Sequence, residues 1–377
     1  MIQGLARFTG CCYRTWSTEK VPPWRQLQDF RFFRRVTRMS AAEFHRYRLW
    51  DRRRSIEERL AFLSHLEHRL IERVVNPTAA VRALNNKILT AKRLARAGIL
   101  MPEMLGSIDT GSAGGAAKPV AVIAAELRSI LATGYPRGVV IKPNQGQGGE
   151  DVFIFRRADA DGVAGLDGSL LTIDAAASLL AQHQSSSWKV ERRLCPHPAL
   201  ARVAQHSLST LRVLTFRSPQ GEIHVGPASL KLPIGHSGVD NFGAGNLAAA
   251  VELATGRVGS AVRIAGGVRV AVHPTSGERI ETLIIPELEA VTDLVTAAAT
   301  EMRELTVLGW DVALTPEGPM ILEGNAWWGT EVVQMPQDQG LVCGRFAELL
   351  EAHGLGELLR RRERGAAEWN HRHPAQG

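Results

Sequence analysis

Cysteine is scarce in this chain: Cys11, Cys12, Cys195 and Cys343 are the whole complement. Their spacing matches neither a metal-ligand set nor a disulfide framework, which leads us to expect a reducing, cytoplasmic setting. Long apolar runs are missing too. No stretch approaches the ~20 apolar residues that a membrane-spanning helix needs. The first residues also lack the charged, apolar and small-residue succession of a secretory leader. Adjacent Cys11 and Cys12 beside basic residues have the outline of an acylation site, a weaker reading than two ordinary helix cysteines. Catalytic triads are absent as well. His206 stands near Ser207 and Ser209, but no acid is placed to orient it, which leaves nucleophilic hydrolase chemistry without support.

What is present is an ordinary globular composition, 45% apolar and 22% charged. A length of 377 residues allows two to three domains. The charge is uneven. Residues 1–80 hold 16 Lys+Arg against 8 Asp+Glu, whereas the remaining 297 residues are close to neutral. The basic residues Arg52, Arg53 and Arg54 are interleaved with Glu57, Glu58, Glu67 and Glu72, as on a solvated helix face. That pattern argues against a nucleic-acid reader, which needs basic residues on one surface with aromatics for stacking. Contact with an anionic membrane surface or an acidic partner is the second reading of this segment.

Periodicity divides the rest of the chain. Residues 40–75 are expected to be helical, starting at the capping box Ser40–Glu43, and a second helix is expected over 78–97 before Gly98. Strands are expected at Val139–Ile141 and Val152–Phe155, as an antiparallel pair with a wide connection. Further strands fit 189–194, 212–216 and 223–232. A helix is expected over 173–183 and a long one over 286–308, followed by a hairpin at 310–322; helices end near Arg364. The pattern predicts an α+β fold with mixed or antiparallel sheets in two lobes.

Two segments carry chemistry. Lys142-Pro143-Asn144-Gln145-Gly146-Gln147-Gly148-Gly149 follows a strand directly, and its glycines would let backbone amides approach a polyphosphate. No Gly-Lys-Ser/Thr closes it, and a strand rather than a helix follows, so neither a Walker loop nor a dinucleotide fingerprint is present. Alone, it could equally be the tip of a surface hairpin. The second segment is Asp311 on one strand with Glu323 and Asn325 on its hairpin partner. Glu323 and Asn325 are two apart and share a strand face, which suits a hard-oxygen site for Mg²⁺ shared with phosphates. Trp327-Trp328 beyond it could line an acceptor pocket, although core packing is the commoner role.

The order Asn86-Lys87, Ile141-Lys142-Pro143 with its glycine loop, Val190-Glu191-Arg192-Arg193-Leu194, Asp311 and Glu323-Gly324-Asn325 resembles the ATP-grasp superfamily over residues 78–345. Phe44–Leu49, Asp240-Asn241-Phe242 and Asn246–Ala249 resemble more closely its sugar-transfer associated group, related to α-L-glutamate ligases. The resemblance implies an ATP-grasp fold whose two α+β lobes clamp ATP, preceded by a basic helical segment. On it we expect the N-terminal segment at 1–77, the N-terminal and lid subdomain at 78–188, the metal-site subdomain at 189–364 and a polar tail at 365–377. It implies that Lys87 and Lys142 hold the α- and β-phosphates, and that Gly146, Gly148 and Gly149 form a lid. By the same resemblance Glu191, Arg192 and Leu194 belong to the hinge that reads adenine, and Asp311, Glu323 and Asn325 bind Mg²⁺ or, as a substitute, Mn²⁺. Arg212 is expected near the γ-phosphate, with Lys231 and Asn241 as further catalytic residues. Pro196-His197-Pro198 stands where an acidic ribose contact is usual, so that contact has no counterpart.

The implied activity is ADP-forming ligation of a small-molecule, glycan-linked or peptide-linked carboxylate to a nucleophilic acceptor through an acyl phosphate, in cell-surface polysaccharide or peptide-conjugate synthesis. A phosphotransferase on the same fold and a non-catalytic nucleotide-binding partner protein are the alternatives. The complete Asp311/Glu323/Asn325 set favours catalysis over the last.

Overall fold

The computed structural model describes residues 2–111, 117–146, 151–204, 207–235 and 240–374. Helices open the chain: α1 (Ile2–Glu19), α2 (Pro23–Thr37), α3 (Ala41–Arg46), α4 (Ile56–Leu60), α5 (His65–Val75), α6 (Thr78–Asn85) and α7 (Lys87–Arg96). The single helix expected over 40–75 is three. Ser40, Ser55 and Ser64 each start a helix by accepting from the backbone of Glu43, Glu58 and Glu67, whose carboxylates reach back to the caps. Three such starts cannot belong to one continuous helix. The helix expected over 78–97 is likewise two, because the Asn86 side chain caps a new start at Lys87.

A first sheet follows, built from β1 (Met104–Asp109), β2 (Val139–Pro143), β3 (Phe153–Ala158), β4 (Gly162–Gly165), β5 (Leu170–Thr172) and β6 (Ser187–Arg192). Its order is β1-β6-β2-β3-β4-β5, and every pairing is antiparallel. Helices α8 (Val120–Leu131) and α9 (Ile173–Gln182) cover one face, where Ile123, Leu127 and Leu180 pack on Ile141, Trp188 and Val190. The expected hairpin of residues 139–141 with 152–155 is present, pairing Val139 with Phe155 and Ile141 with Phe153.

After α10 (Pro198–Ala204), the second sheet contains β7 (Thr210–Arg217), β8 (Ile223–Leu232), β9 (Leu247–Val251), β10 (Val258–Arg263), β11 (Arg269–Val270), β12 (Val307–Thr315) and β13 (Gly318–Asn325). Its order is β11-β10-β9-β8-β7-β12-β13, again antiparallel. Helix α11 (Leu288–Glu301) covers one face, setting Val291, Val295 and Ala298 on Val213, Trp310 and Val312. It stops short of the predicted 308. The Asn76 side chain takes the N–H groups of Thr306 (2.8 Å) and Val307 (3.2 Å), which a continuing helix would need for itself.

The other face carries α12 (Thr330–Gln337), α13 (Gly344–Ala352), α14 (Gly356–Arg372) and the N-terminal helices in one shared core containing Phe33, Trp328, Phe346 and Trp369. The tail expected to be polar from 365 is therefore helical to Arg372, because Trp369 buries its ring against Phe32 at 4.8 Å between centroids. Much of the N-terminal basicity is used internally. Buried Asp29 pairs with Arg52 (2.6 Å) and Arg59 (3.7 Å), and buried Glu67 with Arg361 and Arg362 (2.7 Å each). Among the described residues no helix is long and apolar enough to cross a membrane.

Candidate active site

Antiparallel register builds the centre of the site. Arg212 on β7 stands opposite Asp311 on β12, and Asp311 stands opposite Glu323 on β13. Residues directly opposite in adjacent strands share a face, so three neighbouring strands present one charged row. Asn325 lies two residues beyond Glu323 on the same face. Its amide nitrogen is 3.3 Å from Glu323 Oε1 and 3.4 Å from Asp311 Oδ2. The partner strands differ by one residue here: Asp311 faces Glu323 while Val312 faces Ile321, leaving Leu322 as an unpaired bulge. Ile321 consequently points into the α11 core and Glu323 into the cleft, although the two are only two residues apart.

Electrostatics around Asp311 are dominated by cations. Arg212 donates from Nε to Oδ1 (2.8 Å) and from Nη2 to Oδ2 (3.0 Å), a two-pronged pairing. Lys231 Nζ is 3.1 Å from Asp311 Oδ1 and 3.1 Å from Asp240 Oδ1. Burial alone would raise the Asp311 carboxyl, but Arg212 and Lys231 outweigh it and hold it well below the usual carboxylate range. Burial likewise pulls Arg212 and Lys231 down, and the carboxylates around them raise both above their ordinary values. Arg212 also donates from Nη1 to the Trp328 carbonyl, so its guanidinium is committed to protein groups. Arg212 lines the cleft, where it orients Asp311 and the turn after β13. Gly309 makes room for it, since a Cβ there would lie 3.0 Å from Arg212 Cδ and 2.6 Å from Trp328 Cβ.

The first sheet supplies the opposite wall. Lys142 on β2 and Lys189 on β6 are cross-strand partners, and Glu191 shares their face two residues beyond Lys189. Glu191 Oε1 is 2.7 Å from Lys142 Nζ and Oε2 is 2.6 Å from Lys189 Nζ. Burial would raise Glu191, but the two lysines hold it low. Burial lowers Lys189 despite Glu191, whereas Glu191 and Glu323 outweigh burial at Lys142 and raise it. Both carboxylate oxygens of Glu191 face lysines, and Glu191, Arg192 and Leu194 of the expected hinge all line the cleft. Lys189 is the functional candidate that sequence reading missed. Its alternation with Glu191 and the expected neighbouring strand at 139–141 were the available signal.

The glycine loop is rooted by Asn144. Its carbonyl accepts from Lys87 N–H (3.0 Å) and its Oδ1 from Ile88 N–H (3.0 Å), which ties the loop to the start of α7. Lys87 Nζ donates to the Gly146 carbonyl at 2.7 Å, and burial lowers this lysine below its ordinary value. Gly146 adopts φ +148°, a conformation that favours glycine. Gly148 and Gly149 lie outside the described residues.

These walls enclose a cleft of about 650 Å³. One end is apolar, lined by Val140, Ile154, Leu194, Pro196 and Leu322, with Arg192 at its edge. Arg192 reaches out to Glu103 at 2.6 Å. The middle holds the charged row. Thr210, Asn241, Phe242, Trp327 and Glu331 complete the lining. Asn241 accepts from Gly243 N–H (3.0 Å), which shapes the turn there, and lines the cleft. Asp240 belongs to the charged set although sequence reading gave it no role: besides Lys231 it takes the Thr210 N–H at 2.9 Å. Of the two tryptophans, Trp328 is core and Trp327 faces the cleft. Among the described residues no three His, Cys, Asp or Glu form a metal cluster. Asp311, Glu323 and Asn325 converge as two carboxylates and one amide, donor types that suit a hard divalent cation, with both Asp311 oxygens held by Arg212 and the Asn325 amide nitrogen turned toward the two acids.

No curated protein matches the chain significantly. Solved structures with a similar fold include D-alanyl-alanine synthetase A from Vibrio cholerae, at 13% identity and TM-score 0.44, covering 78% of this chain and 68% of that one. Phosphoribosylamine–glycine ligase from Thermotoga maritima matches at 16% identity and TM-score 0.44, covering 78% and 60%. An ADP complex of N5-carboxyaminoimidazole ribonucleotide synthetase matches at 14% identity and TM-score 0.36, covering 65% of this chain but only 45% of its own. The chain thus spans less than two thirds of some of these proteins. The sequence model of the sugar-transfer associated ATP-grasp family matches residues 65–347, beginning after the Phe44–Leu49 segment. A match over so much of its length means that the chain belongs to the sugar-transfer associated ATP-grasp family.

Proposed function

We propose that the protein is an ADP-forming ligase that activates a carboxylate with ATP and passes the acyl group to an amine or another nucleophile. The observation that carries this reading is the row Arg212–Asp311–Glu323 facing the Lys142–Glu191–Lys189 cluster across one cleft. The apolar end suits a purine between Val140, Ile154, Leu194 and Leu322. Lys142 and Lys231 would face the phosphates, with Lys87 joining them on leaving Gly146. Asp311, Glu323 and Asn325 would hold Mg²⁺, or Mn²⁺ in its place, which supplies positive charge shared with the phosphate oxygens.

The chain's own residues do the positioning. A substrate carboxylate oxygen attacks the γ-phosphorus while the bond to the β,γ-bridging oxygen breaks, releasing ADP. The nucleophile then attacks the acyl carbon, loses its proton, and inorganic phosphate leaves. Lys142 and Lys231 neutralise charge on the transferring group, and Arg212 and Glu191 fix the groups that do so. The acid is a small-molecule, glycan-linked or peptide-linked carboxylate, seated toward Trp327, Phe242 and Glu331. A role in cell-surface polysaccharide or peptide-conjugate synthesis follows from the same reading.

The test is hydroxylamine trapping. Enzyme, Mg-ATP, pooled carboxylic acids and hydroxylamine should give a hydroxamate, with ADP and free phosphate in equal amounts. A stable phosphoester carrying the γ-phosphate would overturn ligation in favour of phosphotransfer.

A further inference from the structure

The first two helices present large aromatics to solvent. Tyr13, Trp16 and Trp24 are 66%, 48% and 68% exposed, whereas Trp50, Trp188, Trp310, Trp328 and Trp369 are all buried. Exposed large aromatics grouped together are the informative exception to ordinary burial. The grouping is structural. Cys12 and Thr15 form the inner side of α1, where they meet His45 at 3.7 and 3.4 Å. Tyr13 and Trp16 then fall on the outer side, one helical turn apart, with ring centroids 5.9 Å from each other. Gln26 Nε2 donates to the Cys12 carbonyl (3.1 Å) and the Val21 carbonyl (2.7 Å), which fixes the start of α2 against α1. Trp24, the second residue of α2, sits at that start with its ring exposed.

Charge surrounds the rings. Residues 1–38 hold eight Lys+Arg and two Asp+Glu. One of those two acids, Asp29, is buried on Arg52 and Arg59 and contributes nothing outward. Lys20, Arg31, Arg34 and Arg38 are exposed. The interleaving of acids that argues against a polyanion partner at residues 52–72 therefore does not apply here. Neither the 650 Å³ cleft nor a second one of about 590 Å³ behind β8 takes a lining residue from this segment. Single-stranded nucleic acid is bound by tracking a groove. Exposed aromatics on two helices rich in exposed basic residues match instead a lipid interface: indole and phenol rings settle at headgroup depth, and Lys/Arg meet anionic lipid.

We infer that the α1–α2 bend docks the protein on anionic lipid membranes, with Tyr13, Trp16 and Trp24 inserted and the basic residues around them on the headgroups. The full chain should co-sediment with phosphatidylcholine vesicles containing phosphatidylserine, far less with phosphatidylcholine alone, and release as salt is raised. Tryptophan emission should shift to the blue on binding. The pair Trp16→Ala/Trp24→Ala should lose that shift and weaken binding about tenfold or more; Arg31→Glu/Arg34→Glu should weaken it by a similar factor with the shift per bound molecule retained. Both variants should keep the wild-type melting temperature, because all four side chains are solvent-exposed. Equal binding to both vesicle types would overturn the inference. So would vesicle binding indifferent to both variants, or failure to bind vesicles while RNA or an acidic protein binds at physiological salt.

Discussion

The two walls of the cleft are built alike and charged oppositely. On the first sheet, Lys142 and Lys189 bracket one carboxylate, Glu191, which leaves a cation in surplus. On the second, Arg212 and Lys231 are set against Asp311, Asp240 and Glu323, which leaves an anion in surplus. In both, alternation along a strand and register between strands gather the charges on one face. The difference shows what each wall can still accept: the lysine side lacks an anion, as a phosphate would supply, and the acid side lacks a cation, as a metal ion would supply.

The comparison breaks most sharply at Glu323. It takes part in no ion pair among the described residues, so Glu323→Gln should leave stability within about 1 kcal/mol of wild type. ATP turnover should fall by about 10²–10³, the scale of losing an electrostatic clamp on a transferring group. Near-wild-type turnover by the folded variant would remove Glu323 from the site.

Glu191 should behave in the opposite way. Glu191→Gln leaves two buried lysines paired across strands without their carboxylate, and unfolding in urea should show a loss of about 3–5 kcal/mol. Adding Lys189→Met to that variant should recover part of the loss, because the uncompensated charge is then halved. If the single variant is as stable as wild type, the cluster is not held by its charges.

His68 sharpens the contrast, as a buried titratable group with no counter-charge. Its ring stacks on Trp327 at 4.1 Å and meets Trp328 at 4.0 Å, and among the described residues neither ring nitrogen has a hydrogen-bond partner. Burial first, and His65 second, push its pKa down from 6.5 to about 3. The folded protein holds it neutral while the unfolded chain protonates near 6.5. Its contribution is therefore intact above that pH and drains away as pH falls toward 3. Between roughly pH 6.5 and 4.5 the urea midpoint should fall more steeply for wild type than for His68→Phe. Parallel curves would mean that His68 finds a proton acceptor in the fold.

Local signals explain how far the sequence was readable. The hairpin of β2 with β3 and the pairing of β12 with β13 rest on alternation and turn residues, and both were anticipated. Ser40, Ser55 and Ser64 announce three helix starts, but the apolar spacing of residues 60–74 reads through the last of them and suggests one helix. Strands β4, β5, β9 and β10 carry little β-branched or aromatic periodicity and are held by their neighbours. At the site, residue types in order indicated Lys142, Asp311, Glu323 and Asn325. Which oxygen of which carboxylate is already occupied depends on contacts between residues 99 positions apart, as for Arg212 with Asp311, and no local pattern encodes that.

The unpaired Leu322 gives β13 one residue more than β12 can match, and so the strand's two ends obey opposite parity. Upstream, odd-numbered Ile321 faces the α11 core; downstream, odd-numbered Glu323 and Asn325 face the cleft. Excising Leu322 would straighten the strand and still leave Glu323 opposite Asp311. Excising Gly324 instead would slide Asn325 into the place opposite Trp310 and turn its amide into the hydrophobic interior. Neighbouring deletions in one strand thus have opposite meanings for the charged row: loss of Leu322 keeps its register while removing an apolar side chain from the cleft wall, and loss of Gly324 breaks it.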